Sequence, residues 1–240
     1  MTRSNSKAEL FSAMGLGPVW ELKNPASSIS ENGMVPNAAS ADLPSLDDLH
    51  ATAKLPSLEE LRVTVAACRA CGLCETRTQT VFSDGVVHAP LMVVGEAPGA
   101  DEDASGLPFV GRAGQLLDRM LTAVGASRAS NVYIANVLKC RPPGNRNPEV
   151  AEIEQCAPFV VQQIAASKPK VLLLVGRFAI QTLLGSKKSV GELRGQLHHV
   201  TVQGREIPAV VTYHPAYLLR RPEEKAKVWD DLLLLKQQGL

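Results

Sequence analysis

Apolar and polar positions along most of this chain follow two alternating periods. Four short runs are apolar almost throughout: Leu91-Met92-Val93-Val94-Gly95, Val132-Tyr133-Ile134-Ala135-Asn136-Val137, Val171-Leu172-Leu173-Leu174-Val175-Gly176 and Ile207-Pro208-Ala209-Val210-Val211-Thr212. Their length and β-branched content predict strands covered on both faces. Between them, apolar residues recur at helical spacing. Leu116, Leu117, Met120, Leu121 and Val124 mark a helix over residues 113–124 that stops at Gly125. Further helices are predicted over residues 148–167, from the third strand to Leu184, and over residues 222–236. Strands alternating with helices predict an α/β fold, a three-layer αβα sandwich around a central, mainly parallel four-stranded sheet. Ligands of such sheets bind beyond the carboxyl ends of the strands.

The pattern fails at the N-terminus. Residues 24–42 are rich in Ser, Asn, Pro and Ala and bury too little apolar surface to order themselves. Residues 1–52 are therefore expected to be a largely flexible extension, and residues 53–240 the folded domain. Two similar segments follow the tail, Leu43-Pro44-Ser45-Leu46 and Leu55-Pro56-Ser57-Leu58, each with an acid three residues after the Ser, as in a capping box. The second is expected to open a helix running into Cys68.

Composition narrows the function classes. An apolar content of 45% can fill a core, and a formal net charge of +1 excludes a chain that grips nucleic acid by bulk charge alone. Any such binding needs local Arg and Lys clusters. No apolar run reaches the roughly 20 residues of a membrane span, and no signal-type apolar segment follows Arg3 and Lys7. A cytoplasmic or nucleoid-associated protein is expected.

Cysteine spacing adds chemistry. Cys68 and Cys71 form a C-x2-C pair, and Cys140 and Cys156 follow downstream, with Cys74 completing a second C-x2-C with Cys71. Clustered thiols in a chain of this kind point to metal rather than disulfides. Four thiolates suit tetrahedral zinc or an iron–sulfur cluster equally, and the spacing chooses neither the metal nor the near pair.

Three polar features gather at predicted strand ends. The first strand runs into Gly95-Glu96-Ala97-Pro98-Gly99, the second ends at Asn136 before Lys139-Cys140-Arg141-Pro142-Pro143, and the fourth leads into His214-Pro215-Ala216-Tyr217-Leu218-Leu219-Arg220-Arg221. The glycine loop lacks the lysine of a phosphate-binding loop. Together with Pro108-Phe109-Val110-Gly111-Arg112-Ala113-Gly114, these segments closely resemble the iron–sulfur uracil-DNA glycosylases, family 4 of their superfamily. The resemblance runs in order from about Cys68 to Lys236.

The resemblance implies a uracil-DNA glycosylase-like fold and a 4Fe-4S cluster on Cys68, Cys71, Cys140 and Cys156, with Cys74 spare. It implies a monofunctional enzyme that flips uracil out of single- or double-stranded DNA and hydrolyses the N-glycosidic bond, leaving an abasic site. Glu96, Ala97, Pro98, Phe109, Asn136 and His214 would bind the base, with Phe109 stacking on its face. Asn136 would read O4 and N3–H, and His214 would donate to O2 as negative charge develops. Better-known uracil glycosylases carry a carboxylate where Ala97 stands, so water activation is unassigned and Glu96 is expected to order water or serve the structure. Glu102 is the expected wall against thymine's methyl group. Arg112, Arg141, Arg146, Arg220 and Arg221 are expected to pair phosphates, and Tyr217, Leu218 and Leu219 to wedge into the duplex. The cluster is read as a staple, and the enzyme as a monomer. The competing reading is a non-catalytic or differently specific damaged-base or abasic-site DNA-binding protein of the same superfamily.

Overall fold

The structure, a computed structural model, describes residues 56–239. The expected N-terminal extension and the first Leu-Pro-Ser-Leu segment lie outside the described residues. At the second, Ser57 accepts from the Glu60 N–H while the Glu60 carboxylate accepts from the Ser57 N–H at 2.7 Å. This capping box opens helix α1 (Leu58–Ala67), which ends at Cys68 as the sequence predicts. A short helix α2 (Leu73–Thr76) follows.

All four predicted strands are present and parallel: β2 (Leu91–Gly95), β3 (Val132–Asn136), β4 (Val171–Val175) and β6 (Arg205–Thr212). Two edge strands join them, β1 (Asp84–Gly85) and β5 (Leu197–Val202), and the sheet order is β1-β3-β2-β4-β6-β5. Both edges pair antiparallel. The sheet is thus larger than the four strands expected. β1 is too short to carry a pattern, and β5 reads as polar because its outer face carries His199 and Thr201 to solvent. A two-residue turn at Gln203 and Gly204, both at positive φ, joins β5 to β6.

Every residue of β2, β3 and β4 is buried, because helices cover both faces. Met92, Val94, Tyr133, Ala135, Leu172 and Leu174 share one core with α5 (Val150–Ser167) and α6 (Arg177–Leu184). The alternate residues Leu91, Val93, Ile134 and Leu173 are equally buried on the opposite face. Leu117, Met120 and Leu121 of α4 (Arg112–Ala123) are buried outside the first core, as are Val228, Leu232 and Leu235 of α9 (Lys225–Lys236). Three short helices complete the set: α3 (Ala100–Ser105), α7 (Val190–Leu193) and α8 (Pro215–Arg220). The parallel order brings the ends of β2, β3, β4 and β6 to one edge of the sheet. That edge carries the candidate site.

Candidate active site

A cleft of about 400 Å³ lies at that edge, lined by the β2–α3 loop, the end of β3 and the start of α8. Its walls include Glu96, Phe109, Asn136 and His214, so three separate strand ends deliver their polar groups to one place.

Asn136 is the last residue of β3 and is 2% exposed. Its Oδ1 is buried with no hydrogen-bond partner among the described residues. A buried acceptor left unpaired costs about 1–3 kcal/mol, so its position in a cleft marks a place for a donor. The main chain behind it is held firmly. Lys139 Nζ donates to the Asn136 carbonyl oxygen at 2.6 Å and to Gln163 Oε1.

His214 caps α8, and its Nδ1 accepts the Ala216 N–H at 3.2 Å. That bond places the ring proton on Nε2, leaving it as a donor. Burial, with the Arg220 charge adding to it, lowers the imidazole to about 4, so the ring is neutral at ordinary pH. Gly176, at φ 91°, makes room for it: a Cβ there would stand 3.0 Å from the His214 Cβ.

Phe109 lies with its ring centroid 5.6 Å from that of His214 and has φ 56°, a left-handed conformation strained for an aromatic residue. Two glycines make its position possible. A Cβ on Gly114 would fall 1.8 Å from the Phe109 carbonyl oxygen, and one on Gly95 would fall 2.5 Å from its Cζ.

Glu96 lines the same cleft. Burial pushes its carboxyl up to about 7, against the pull of the Arg177 charge. Arg177, at the start of α6 beyond the end of β4, is a contributor the sequence reading missed; its place after the third strand was the available signal. Glu102 also lines the cleft, and its carboxylate is fully engaged. Oε1 accepts from Val110 N and Gly111 N, each at 2.9 Å, and Oε2 accepts from Gly99 N at 3.0 Å. It binds the two loops together.

The expected DNA-contacting residues divide. Arg220 and Tyr217 line the cleft, and Arg112 and Leu219 are exposed. Arg141 is partly exposed, and its Nε donates to Asn145 Oδ1 at 2.7 Å. Arg146 lines the cleft, but both its terminal nitrogens engage the Glu152 carboxylate, at 2.9 and 2.5 Å. Glu152 also caps α5, so the expected phosphate role of Arg146 gives way to anchoring that helix. Arg221 pairs with Glu223 at 3.6 Å in the open. Leu218 departs from expectation, since it is 1% exposed and anchors α8 in the core. Of the two leucines only Leu219, at 37%, is free to wedge.

The cysteines gather elsewhere. Cys68, Cys71, Cys74, Cys140 and Cys156 line one small space together with Arg77 and Lys139. Arg77 Nη1 donates to Cys140 Sγ at 3.1 Å, its Nη2 to the Cys68 carbonyl at 2.9 Å, and Lys139 N to Cys156 Sγ at 3.3 Å. Burial raises the thiols of Cys71 and Cys140 and pushes Cys156 up to about 12, so a metal held here would have to displace their protons. A backbone N–H and the Arg77 guanidinium facing sulfur suit thiolate ligands. Among the described residues no group of three or more His, Cys, Asp or Glu side chains stands ready to hold a metal ion.

The profile of the uracil DNA glycosylase superfamily matches residues 82–233. The chain belongs to that superfamily. Within the superfamily it is similar to the type-4 uracil-DNA glycosylase of Archaeoglobus fulgidus, 40% identical over 70% of this chain and 85% of that protein. It is also similar to that of Pyrobaculum aerophilum, 39% identical over 72% and 90%, and to that of Thermotoga maritima, 41% identical over 65% and 80%. A type-5 uracil-DNA glycosylase of Pyrobaculum aerophilum is more distant, at 29% identity. The superfamily match spans all four parallel strands and every residue of the cleft, while Cys68, Cys71 and Cys74 lie before it.

Proposed function

We propose that this chain is a monofunctional uracil-DNA glycosylase that hydrolyses the N-glycosidic bond of a flipped-out uracil and leaves an abasic site. The observation that carries the reading is the unpartnered, buried Oδ1 of Asn136 in a cleft that also holds an aromatic ring and a neutral imidazole. Uracil presents what these groups lack. Its N3–H donates to Asn136 Oδ1, its O4 accepts from the Asn136 amide nitrogen, and its face stacks on Phe109. Cytosine has an acceptor at N3 and a donor at C4, so both contacts would be lost and buried groups stranded.

As the C1′–N1 bond breaks, its electron pair passes to the base and charge grows on O2. Nε2–H of His214 donates to that oxygen without giving up its proton, as suits a neutral imidazole aimed at developing charge. Water adds to C1′ and loses a proton to solvent, which leaves the abasic sugar. Glu96, held high by burial, orders that water in its ionised form. Glu102, braced by three backbone N–H groups, forms a rigid wall at uracil C5 against a methyl group. No lysine lines the cleft among the described residues, and Lys139 Nζ is engaged with Asn136 and Gln163, which supports base release without a Schiff base.

Cys68, Cys71, Cys140 and Cys156 would hold a 4Fe-4S cluster, which when bound supplies a cross-link between the end of α1 and the segment carrying Cys140 and α5. The thiols line one shared space, which supports their acting as one ligand set, and the choice of a cluster over a single ion rests on the family resemblance. Cys74 lines that space too, so leaving it out of the ligand set rests on the family resemblance. Arg112, Arg141 and Arg220 would pair phosphates of single- or double-stranded DNA, with Tyr217 and Leu219 filling the gap behind the flipped base. The enzyme would act as a monomer on DNA in the cytoplasm.

The test is base release from matched oligonucleotides bearing one uracil, thymine or cytosine, using the full chain purified anaerobically. Free uracil with an intact abasic strand, and neither thymine nor cytosine released, is expected. Tight binding to uracil-containing DNA with no base released would overturn the proposal.

A further inference from the structure

Arg128 lies outside every segment named so far, in the connection between α4 and β3. Its guanidinium makes four hydrogen bonds and one further ion-pair contact. Nε and Nη2 meet Asp118 Oδ1 of α4 at 2.9 and 2.8 Å, and Nη1 meets Asp84 Oδ2 of β1 at 2.7 Å. Two of the hydrogen bonds reach main-chain carbonyls: Nη1 to Pro108 O at 3.1 Å and Nη2 to Phe109 O at 2.9 Å.

Phe109 is the strained residue of this loop, at φ 56°. The carbonyls of residues 108 and 109 are thus held by a cation, and the N–H groups of residues 110 and 111 by the Glu102 carboxylate. A left-handed aromatic residue persists only where its surroundings over-determine it. Opposite charges gripping successive peptide units supply that constraint. The two aspartates, on different elements, fix the guanidinium in turn. A lysine cannot reproduce four directed hydrogen bonds from one plane.

We infer that Arg128 is a positioning residue that fixes Phe109 in its stacking orientation before the base arrives. The inference rests on the glycosylase reading for its consequence, though the clamp itself can be measured without it. Stacking acts on the base before and during bond cleavage, so loosening it weakens binding more than the chemical step.

The experiment is a double-mutant cycle with Arg128→Lys and Phe109→Ala, run on uracil-containing single strands with enzyme in excess. Arg128→Lys alone is expected to raise the half-saturating enzyme concentration roughly tenfold, with the limiting rate within about twofold; residues of one network are coupled on this scale. In the Phe109→Ala background the same substitution is expected to change it less than about twofold. Asp84→Asn, which keeps Arg128 and removes one charged partner, is carried in parallel and should give a smaller rise with the same dependence on Phe109. Amide hydrogen exchange on DNA-free protein supplies a readout independent of activity. Val110 and Gly111 should exchange faster in Arg128→Lys while the central strands are unchanged. Equal effects with and without Phe109, a loss confined to the limiting rate, or unchanged exchange would each overturn the inference. If the wild-type chain released no uracil, the glycosylase reading would fail while the exchange result still decided whether Arg128 holds the turn.

Discussion

Gly95 and Asn136 are register partners at the last positions of β2 and β3, and a Cβ on residue 95 would stand 2.3 Å from Asn136 Oδ1. The same Cβ would lie 2.5 Å from Phe109 Cζ. One missing methyl group therefore lets an amide and an aromatic ring share the floor of the cleft. Gly95→Ala is expected to cut uracil release by roughly a hundredfold or more, as misplacement by about an ångström does elsewhere. Single-turnover rates, with circular dichroism showing a retained fold, check this.

Two cleft residues predict how pH acts. Glu96 titrates near 7, so kcat/KM should rise with pH through about 7 and level off above it as the carboxylate ionises. Glu96→Gln should flatten that limb. His214 bears on stability. Its folded-state value of about 4 lies below the unfolded 6.5, so the unfolded chain binds more protons between those limits. Stability is thus expected to fall as pH drops from 6.5 towards 4, and His214→Asn should reduce the slope in denaturant titrations. A ring titrating near 6.5 in the folded protein would contradict both the burial and the neutral-donor role.

Two arginines at the cleft should behave differently. Arg220 is exposed, so Arg220→Ala should lower the dependence of log affinity on log salt by about 1. Arg146 is committed to Glu152, so Arg146→Ala should lower the melting temperature and leave the salt slope close to wild type.

Neighbouring leucines should separate in the same way. Leu218→Ala empties a buried site and is expected to cost about 2–5 kcal/mol of stability. Leu219→Ala should leave the melting temperature nearly unchanged and slow release from double-stranded more than from single-stranded DNA.

The parallel strands and the polar groups at their ends were legible because runs such as Val171-Leu172-Leu173-Leu174-Val175 leave no alternative to burial, and chain order then fixes a shared edge. What could not be read was how long-range partners use a side chain. Arg146, Glu102 and Arg128 are ordinary surface residues in sequence, and their roles come from Glu152, three backbone N–H groups and two aspartates brought in by folding. Leu218 and Leu219 differ only in which side of a six-residue helix they occupy. The edge strand β5 was hidden because its exposed face is polar.

The most direct test of the account is the single-turnover rate of uracil release by Asn136→Ala beside wild type, with DNA affinity and iron content measured on the same preparations. Release is expected to fall by roughly a hundredfold or more while affinity for undamaged DNA and iron content stay at wild-type values. Release at the wild-type rate would mean that the buried, unpartnered oxygen of Asn136 does not read the base, and would contradict the account.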